Sequence, residues 1–323
     1  MTKCFMKLMV LLVSCLGLSL SIQAQTFPNK PIKFVVGYAP GGAVDAVARS
    51  VGQSMANSMG QPVIVENKPG AGTNIAVKSV ITADPDGYTL LMAANALSAN
   101  MALYQPKPFD AEKELVAVSM VGRVPVVIAA NPSVPYGNVK QLIDAAKGKP
   151  NSVAYGSPGN GSTSHLTQEM FKQQANIKMQ HVPYKGGPAA ITDLLGGQID
   201  VLFEASPLVL PFIQRGDLRA LAVSTSTPLQ TLPGVPTISS QGLPNFEAVG
   251  WMGIVGPAGM SSGSVNALSA ALQKSLTDPA IKSKLDTTGM LIIGGTPQDF
   301  GKFIRSEYDK WGAVIKASGI SIQ

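Results

Sequence analysis

Two stretches concentrate the residues that could do chemistry. The first is Tyr38-Ala39-Pro40-Gly41-Gly42, with Asp45 just beyond it. The second is Gly156-Ser157-Pro158-Gly159-Asn160-Gly161-Ser162-Thr163-Ser164, followed at once by His165. Each stands where an apolar run gives way to a helical period. Glycines at such a turn let the backbone approach a ligand or take conformations that a Cβ forbids. The helix that follows begins with unpaired N–H groups aligned with its dipole, and these favour an anion. A plainer reading makes Gly41-Gly42 a tight turn and leaves Ser162 and Ser164 as helix caps.

Other chemistries are poorly served. Gly156 to Ser162 has the spacing of a P-loop, but Ser162 takes the lysine's place, so no side-chain charge meets a triphosphate. Gly41-Gly42 is not part of a G-x-G-x-x-G, and residues 155–159 lack the first glycine of a nucleophile elbow. The two histidines, His165 and His181, have no acidic cluster around them and make a poor metal site. His165 either faces the cleft or packs at its helix start, whereas His181 opens a strand and reads as structural. Asp45 either caps its helix or braces the loop; as a general base it lacks a partner. A mono- or dicarboxylate suits these donors best, and no cofactor, metal or catalytic residue is expected.

The elements that must position the loops follow from periodicity. Residues 31–38, 62–66 and 88–94 read as strands. Val44, Val47, Ala48, Val51 and Met55 mark one face of a helix over 44–55, and 74–83 reads as a second helix. This β-α-β-α-β order predicts a parallel sheet with helices on its faces. Strands follow at 124–130, 152–155, 181–184, 200–203, 218–224 and 251–255. Helices are expected at 139–147, from about Ser164, at 189–195, at 264–276 and at 297–316. Residues 225–244 are rich in Pro and Gly and read as a long surface connection. In the last helix Phe300, Phe303, Ile304, Trp311 and Ile315 form a stripe that reads as core.

The chain has 323 residues, 45% of them hydrophobic and 14% charged, which is a globular composition. Lys3 and Lys7, an apolar run over 8–22 and a small residue at Ala24 read as a secretory signal peptide cut after Ala24. Leu12-Val13-Ser14-Cys15 resembles a lipobox, but the apolar run continues past it, so a lipoprotein through Cys15 is the minor alternative. Cys4 and Cys15 both precede the cut. The mature chain then has no disulfide, thiol nucleophile or Cys-bound metal. Without Lys3 and Lys7 the chain keeps 23 basic residues against 19 acidic ones. That balance is too mild for nucleic-acid binding.

Motifs over nearly the whole mature chain resemble one family. They are YAPGGAVDAVAR, VENKPGAGTNIA, DPDGYTLL, YGSPGNGSTSHL, HVPYKGGPAAITDLLGGQID, LRALAVSTS, LPGVPT and GWMGIVGPAG. The chain is similar to the Bug-type periplasmic solute receptors of tripartite tricarboxylate transport systems. The resemblance implies an α/β, two-lobed type II periplasmic binding protein fold, each lobe a mainly parallel sheet flanked by helices, with a hinged cleft. It implies a monomer that binds a small carboxylate and delivers it to a membrane permease. Lobe 1 would comprise 25–123 and 248–323, and lobe 2 would comprise 124–247.

The resemblance also implies that the loops pinch the carboxylate through backbone groups and bridging waters. Carried over, the residues are Tyr38, Ala39, Gly41, Gly42 and Asp45 in lobe 1. In lobe 2 they are Ser157, Gly161, Ser162, Thr163 and His165. Three positions depart from the family's usual pattern: Gly37 replaces a proline, and Thr73 and Ala76 replace glycines. Glu204 follows a strand of lobe 2. Facing the cleft, it would repel a tricarboxylate and favour an ammonium or hydroxyl; otherwise it is a solvated surface acid. The rival readings are a periplasmic sensing partner of a signalling protein and a secreted enzyme acting on carboxylates. For the enzyme no acid–base or nucleophile–base pair is visible.

Overall fold

The computed structural model describes residues 27–286 and 289–321. The segment read as a signal peptide and both cysteines lie outside these residues. The chain runs β1 (Ile32–Val36), α1 (Ala43–Met59), β2 (Val63–Asn67), α2 (Asn74–Ile81), β3 (Thr89–Ala94), α3 (Ala96–Leu103), α4 (Ala111–Glu114) and β4 (Leu115–Ala130). It continues with α5 (Val139–Gly148), β5 (Ala154–Ser157), α6 (Thr163–Ala175), β6 (Gln180–Pro183), α7 (Gly187–Leu195), β7 (Val201–Ala205), α8 (Ser206–Gln214) and β8 (Arg219–Val223). The last elements are β9 (Val249–Pro257), α9 (Ser262–Thr277), α10 (Pro279–Asp286), β10 (Leu291–Ile292) and α11 (Pro297–Ser318).

The strands form a mixed sheet in the order β2-β1-β3-β9-β4-β7-β5-β6, with β8 and β10 also paired to β4. β1 is parallel to β2 and β3, and β5 is parallel to β6 and β7. β4 and β9 run against their neighbours, so each half adds antiparallel strands to its parallel set. The reason is β4 itself. It pairs with β9 as far as Pro125, then with β7 and β8 from Val126 onward. One strand thus leaves the first half and enters the second.

A second connection lies beside it. The Ser224 hydroxyl accepts from the Val126 N–H at 3.0 Å and donates to the Ala248 carbonyl at 2.5 Å. Backbone bonds join Ser224 to Val126 at 2.9 Å and to Ala248 at 3.1 Å. Both crossings are therefore fastened at one buried serine.

Apolar faces fall where the periodicity puts them. Val47, Ala48, Val51 and Met55 of α1 pack with Phe34 and Met92 on one side of the first half. The stripe of α11 is buried, but it serves two cores. Phe300 and Ile304 pack with Trp251 and Leu97, whereas Trp311 and Ile315 pack with Phe171 and Tyr155 of the second half. The C-terminal helix, expected within lobe 1, therefore straddles both halves. α3 does the same, with Met101 in one core and Leu103 in the other.

Trp311 is fully buried and donates from Nε1 to Glu307 at 2.7 Å. Trp311→Ala should cost about 3–5 kcal/mol through the cavity it leaves. Urea unfolding followed by far-UV circular dichroism and by fluorescence of the remaining Trp251 checks this. The two probes should move together to a lower midpoint, because α11 couples the cores.

Candidate functional site

β1 and β5 both end in a glycine-rich turn, and the helices after them, α1 and α6, start at the same gap between the halves. A narrow inner chamber of about 70 Å³ lies there. It opens into a wider vestibule that shares Tyr38, Ala39, Pro158 and Ser162 with it. Two further helices begin at the chamber, α7 at Gly186-Gly187 and α8 at Ala205. The starts of α1, α7 and α8 have no side-chain cap. At α6 the Ser162 hydroxyl accepts from the His165 N–H at 3.2 Å. First-turn N–H groups of four helices therefore converge on one space. No lysine or arginine lines the inner chamber among the described residues.

The sequence-derived site residues divide into two groups. Tyr38, Ala39, Gly42, Ser162, Thr163 and Glu204 line the chamber. Asp45, Ser157, Gly161 and His165 are buried outside its lining, and Gly41 is exposed and also outside it.

Asp45 resolves as a brace. Its carboxylate accepts from the Gly41 N–H at 3.0 Å, from Arg49 at 3.0 and 2.9 Å, and from Asn67 at 2.9 Å. Asn67 also donates to the Tyr38 carbonyl at 3.0 Å. Burial alone would raise the Asp45 carboxyl; Arg49, the Gly41 N–H and Asn67 overcome this and hold it below its ordinary value. The loop is tied at both ends, with Gly41 in the left-handed region at φ 80.

The second loop rests on a column of stacked rings. His165 stacks on His181 at 4.5 Å, and His181 stacks on Tyr155 at 4.9 Å. His165 Nδ1 accepts from the Gly161 N–H at 3.2 Å, and His181 Nε2 lies 2.7 Å from the Ser157 hydroxyl. The Tyr155 hydroxyl donates to Glu169 at 2.7 Å, which Lys172 meets at 2.6 Å. Burial pushes both imidazoles down to about 4. His165 is thus a neutral acceptor that fixes the loop backbone from beneath.

Glu204 is not a solvated surface acid. It is 4% exposed and lines the chamber. Burial pushes its carboxyl up to about 7. Burial and the nearby Glu204 charge also raise the Tyr38 phenol, which stays protonated. The indole N–H of Trp251, another wall residue, has no hydrogen-bond partner among the described residues.

The halves meet across the gap through small residues. A methyl on Gly186 would lie 3.6 Å from the Ala39 side chain, and one on Gly161 would lie 2.5 Å from Asn100 Oδ1. Asn100 donates to the Gly72 carbonyl and to Asn74, both at 2.7 Å. Asn100 lies outside the quoted motifs, and Gly72, Gly186 and Trp251 lie within them; sequence reasoning singled out none of the four as a site residue. Two of the departures noted above compensate each other. A side chain at Gly37 would lie 2.6 Å from Thr73 Cβ, so Thr73 fills the space that glycine leaves.

Comparison with known proteins follows from this geometry. The sequence profile described as "Tripartite tricarboxylate transporter family receptor" matches residues 47–320. The chain is 33% identical to Protein BugT of Bordetella pertussis over 313 residues, 96% of each chain. It superposes on an R. palustris protein solved with adipate at a TM-score of 0.88 and 30% identity, covering 91% of this chain and 99% of that one. It superposes on MatC from Rhodopseudomonas palustris with bound malate at a TM-score of 0.85 and 26% identity, covering 90% of this chain and 100% of that one.

Two outcomes follow from the braces. Asp45→Ala removes the acceptor of the Gly41 N–H and one of the two acceptors of Asn67 and should cost about 1–3 kcal/mol, read by chemical denaturation. The imidazole signals of His165 and His181 should not titrate near neutrality in NMR, and should move only toward pH 4. Their folded values lie below the unfolded one. Their contribution to stability is therefore complete above the ordinary imidazole value and is lost as pH falls toward 4.

Proposed function

The chain belongs to the tripartite tricarboxylate transporter receptor family, a family of extracytoplasmic solute-binding proteins and not of enzymes, and from that footing we propose that it binds one small carboxylate between its halves. The observation that carries the reading is the convergence of the α1, α6, α7 and α8 starts on a chamber whose walls hold no cationic side chain. Backbone N–H groups of Gly42, Ala43, Thr163 and Ser164, aided by waters and the Thr163 hydroxyl, hold the carboxylate. The adipate and malate held by the two structural neighbours support that ligand class.

In this reading the chain is exported, cut after Ala24 and released into the periplasm as a monomer. Ligand closes the halves about β4 and the Ser224 junction. The closed form then docks on its membrane permease.

A thermal-shift panel on ligand-stripped protein lacking residues 1–24 tests this. A ligand at about a hundred times its Kd adds roughly 2.7 kcal/mol, or a few degrees at this size. Dicarboxylates, hydroxy acids or amino acids should raise the midpoint and sugars should not. Gly161→Ala should lose the shift while its far-UV spectrum stays native, because the added methyl meets Asn100 where the halves close. A shift from a neutral sugar, or silence from every carboxylate, overturns the reading.

A further inference from the structure

Glu204 is the acid of the inner chamber, and holding a carboxylate on backbone groups gives it no task. Its Oε1 accepts from the Ala205 N–H at 2.7 Å and from the Ser164 hydroxyl at 3.5 Å. Its Oε2 is buried and has no hydrogen-bond partner among the described residues. That oxygen lies against the start of α7, where a methyl on Gly187 would come within 2.9 Å of it. Ser164 is the second residue of α6. An anion drawn to the start of α6 therefore sits beside the Glu204 carboxyl.

Two carboxylates side by side without a cation repel each other. One proton shared between them removes the repulsion and forms a short, charge-assisted bond. We propose, resting on the carboxylate-receptor reading above, that Glu204 receives the ligand as a protonated acid. Its Oε2–H donates to a ligand carboxylate oxygen, so the ligand enters together with one proton. The proton comes from water and stays on Glu204 until the ligand leaves. Among the described residues the chamber wall offers no lysine or arginine as a counter-charge to a second carboxylate.

The surroundings fit an acid that is neutral when occupied. Tyr38 is the titratable group that faces it from the end of β1. α6 brings the Ser164 hydroxyl and α8 the Ala205 N–H. Burial already makes the protonated form available near neutrality, and a bound anion raises the carboxyl further. Ala43, Val44, Val126, Leu208 and Met252 give the chamber an apolar wall. The ligand class is thus an aliphatic carboxylic acid with no ammonium beside the carboxylate that meets Glu204.

Isothermal titration tests this with succinate, adipate and malate as probes and aspartate and glutamate as the amino-acid arm. Wild-type protein is titrated at about pH 6.5 and about pH 8, the latter in two buffers of different ionisation enthalpy. The bound acid should weaken roughly tenfold at the higher pH, since each unit above the carboxyl's value costs about tenfold. Close to one proton should be taken up per ligand at about pH 8, and Glu204→Gln should give a flat profile without uptake. Binding with no proton uptake in the wild type overturns the proposal and leaves the receptor reading intact. So does an amino acid that binds more tightly as pH rises, which would pair its ammonium with ionised Glu204. If none of the five acids binds at either pH, the proposal falls, and silence from the wider carboxylate panel as well removes the receptor reading beneath it. Should Glu204→Gln fail to fold, the wild-type proton count alone decides.

Discussion

A chamber lined by Glu204 and by no lysine or arginine must meet negative charge with backbone dipoles, and the topology follows from that constraint. A parallel β–α step leaves the start of a helix at the C-terminal edge of its strand. β1, β5, β6 and β7 all end at the gap, and α1, α6, α7 and α8 all begin there. The antiparallel strands have a different task. β4 and β9 carry Val124, Val126, Gly250, Trp251 and Met252 across the wall between the two sets of helix starts. The mixture of strand directions is thus a division of labour, with parallel strands aiming dipoles and antiparallel strands joining the halves.

Helix ends left without side-chain caps are useful only if they cannot rearrange to satisfy themselves. The structure prevents this from behind. Asp45, Arg49 and Asn67 fix the first loop. The His165–His181–Tyr155 column, tied to Glu169 and Lys172, fixes the second. The two braces work by opposite chemistry, one ionised and partly open to water, the other a neutral pair of imidazoles over a partly buried ion pair. Both hold a donor group in place before any ligand arrives, so less ordering is left for the binding step.

Both strand–loop–helix units were legible because glycine, hydroxyl and helical-period signals coincide at each. Less legible was which residues face the chamber and which stand behind it. Asp45 and His165 follow their loops at similar spacing, and only the packed structure turns both away. α8 was hidden by Pro207 and by Pro211 inside it. α3 was hidden because it is buried on almost every face and shows no stripe. Glu204 sits in a strand whose residues are nearly all buried, so alternation cannot tell an inward acid from an outward one. The α11 stripe reads as core from its spacing, but nothing in a period says that its two ends serve two cores.

That double service limits how the halves can move. α3 and α11 each pack into cores on both sides, so sliding one half over the other would break close packing in two places at once. Bending where β4 changes partners, beside the Ser224 fastening, disturbs far less. Across the gap the meeting points are Gly186 with Ala39, Gly161 with Asn100, and Gly72 with Asn160. Such contacts bury little apolar surface, so parting them costs little hydrophobic free energy. A closed state held together so lightly needs another contribution to persist. An anion bridging helix starts from both halves supplies it, because it interacts with both only when they are together.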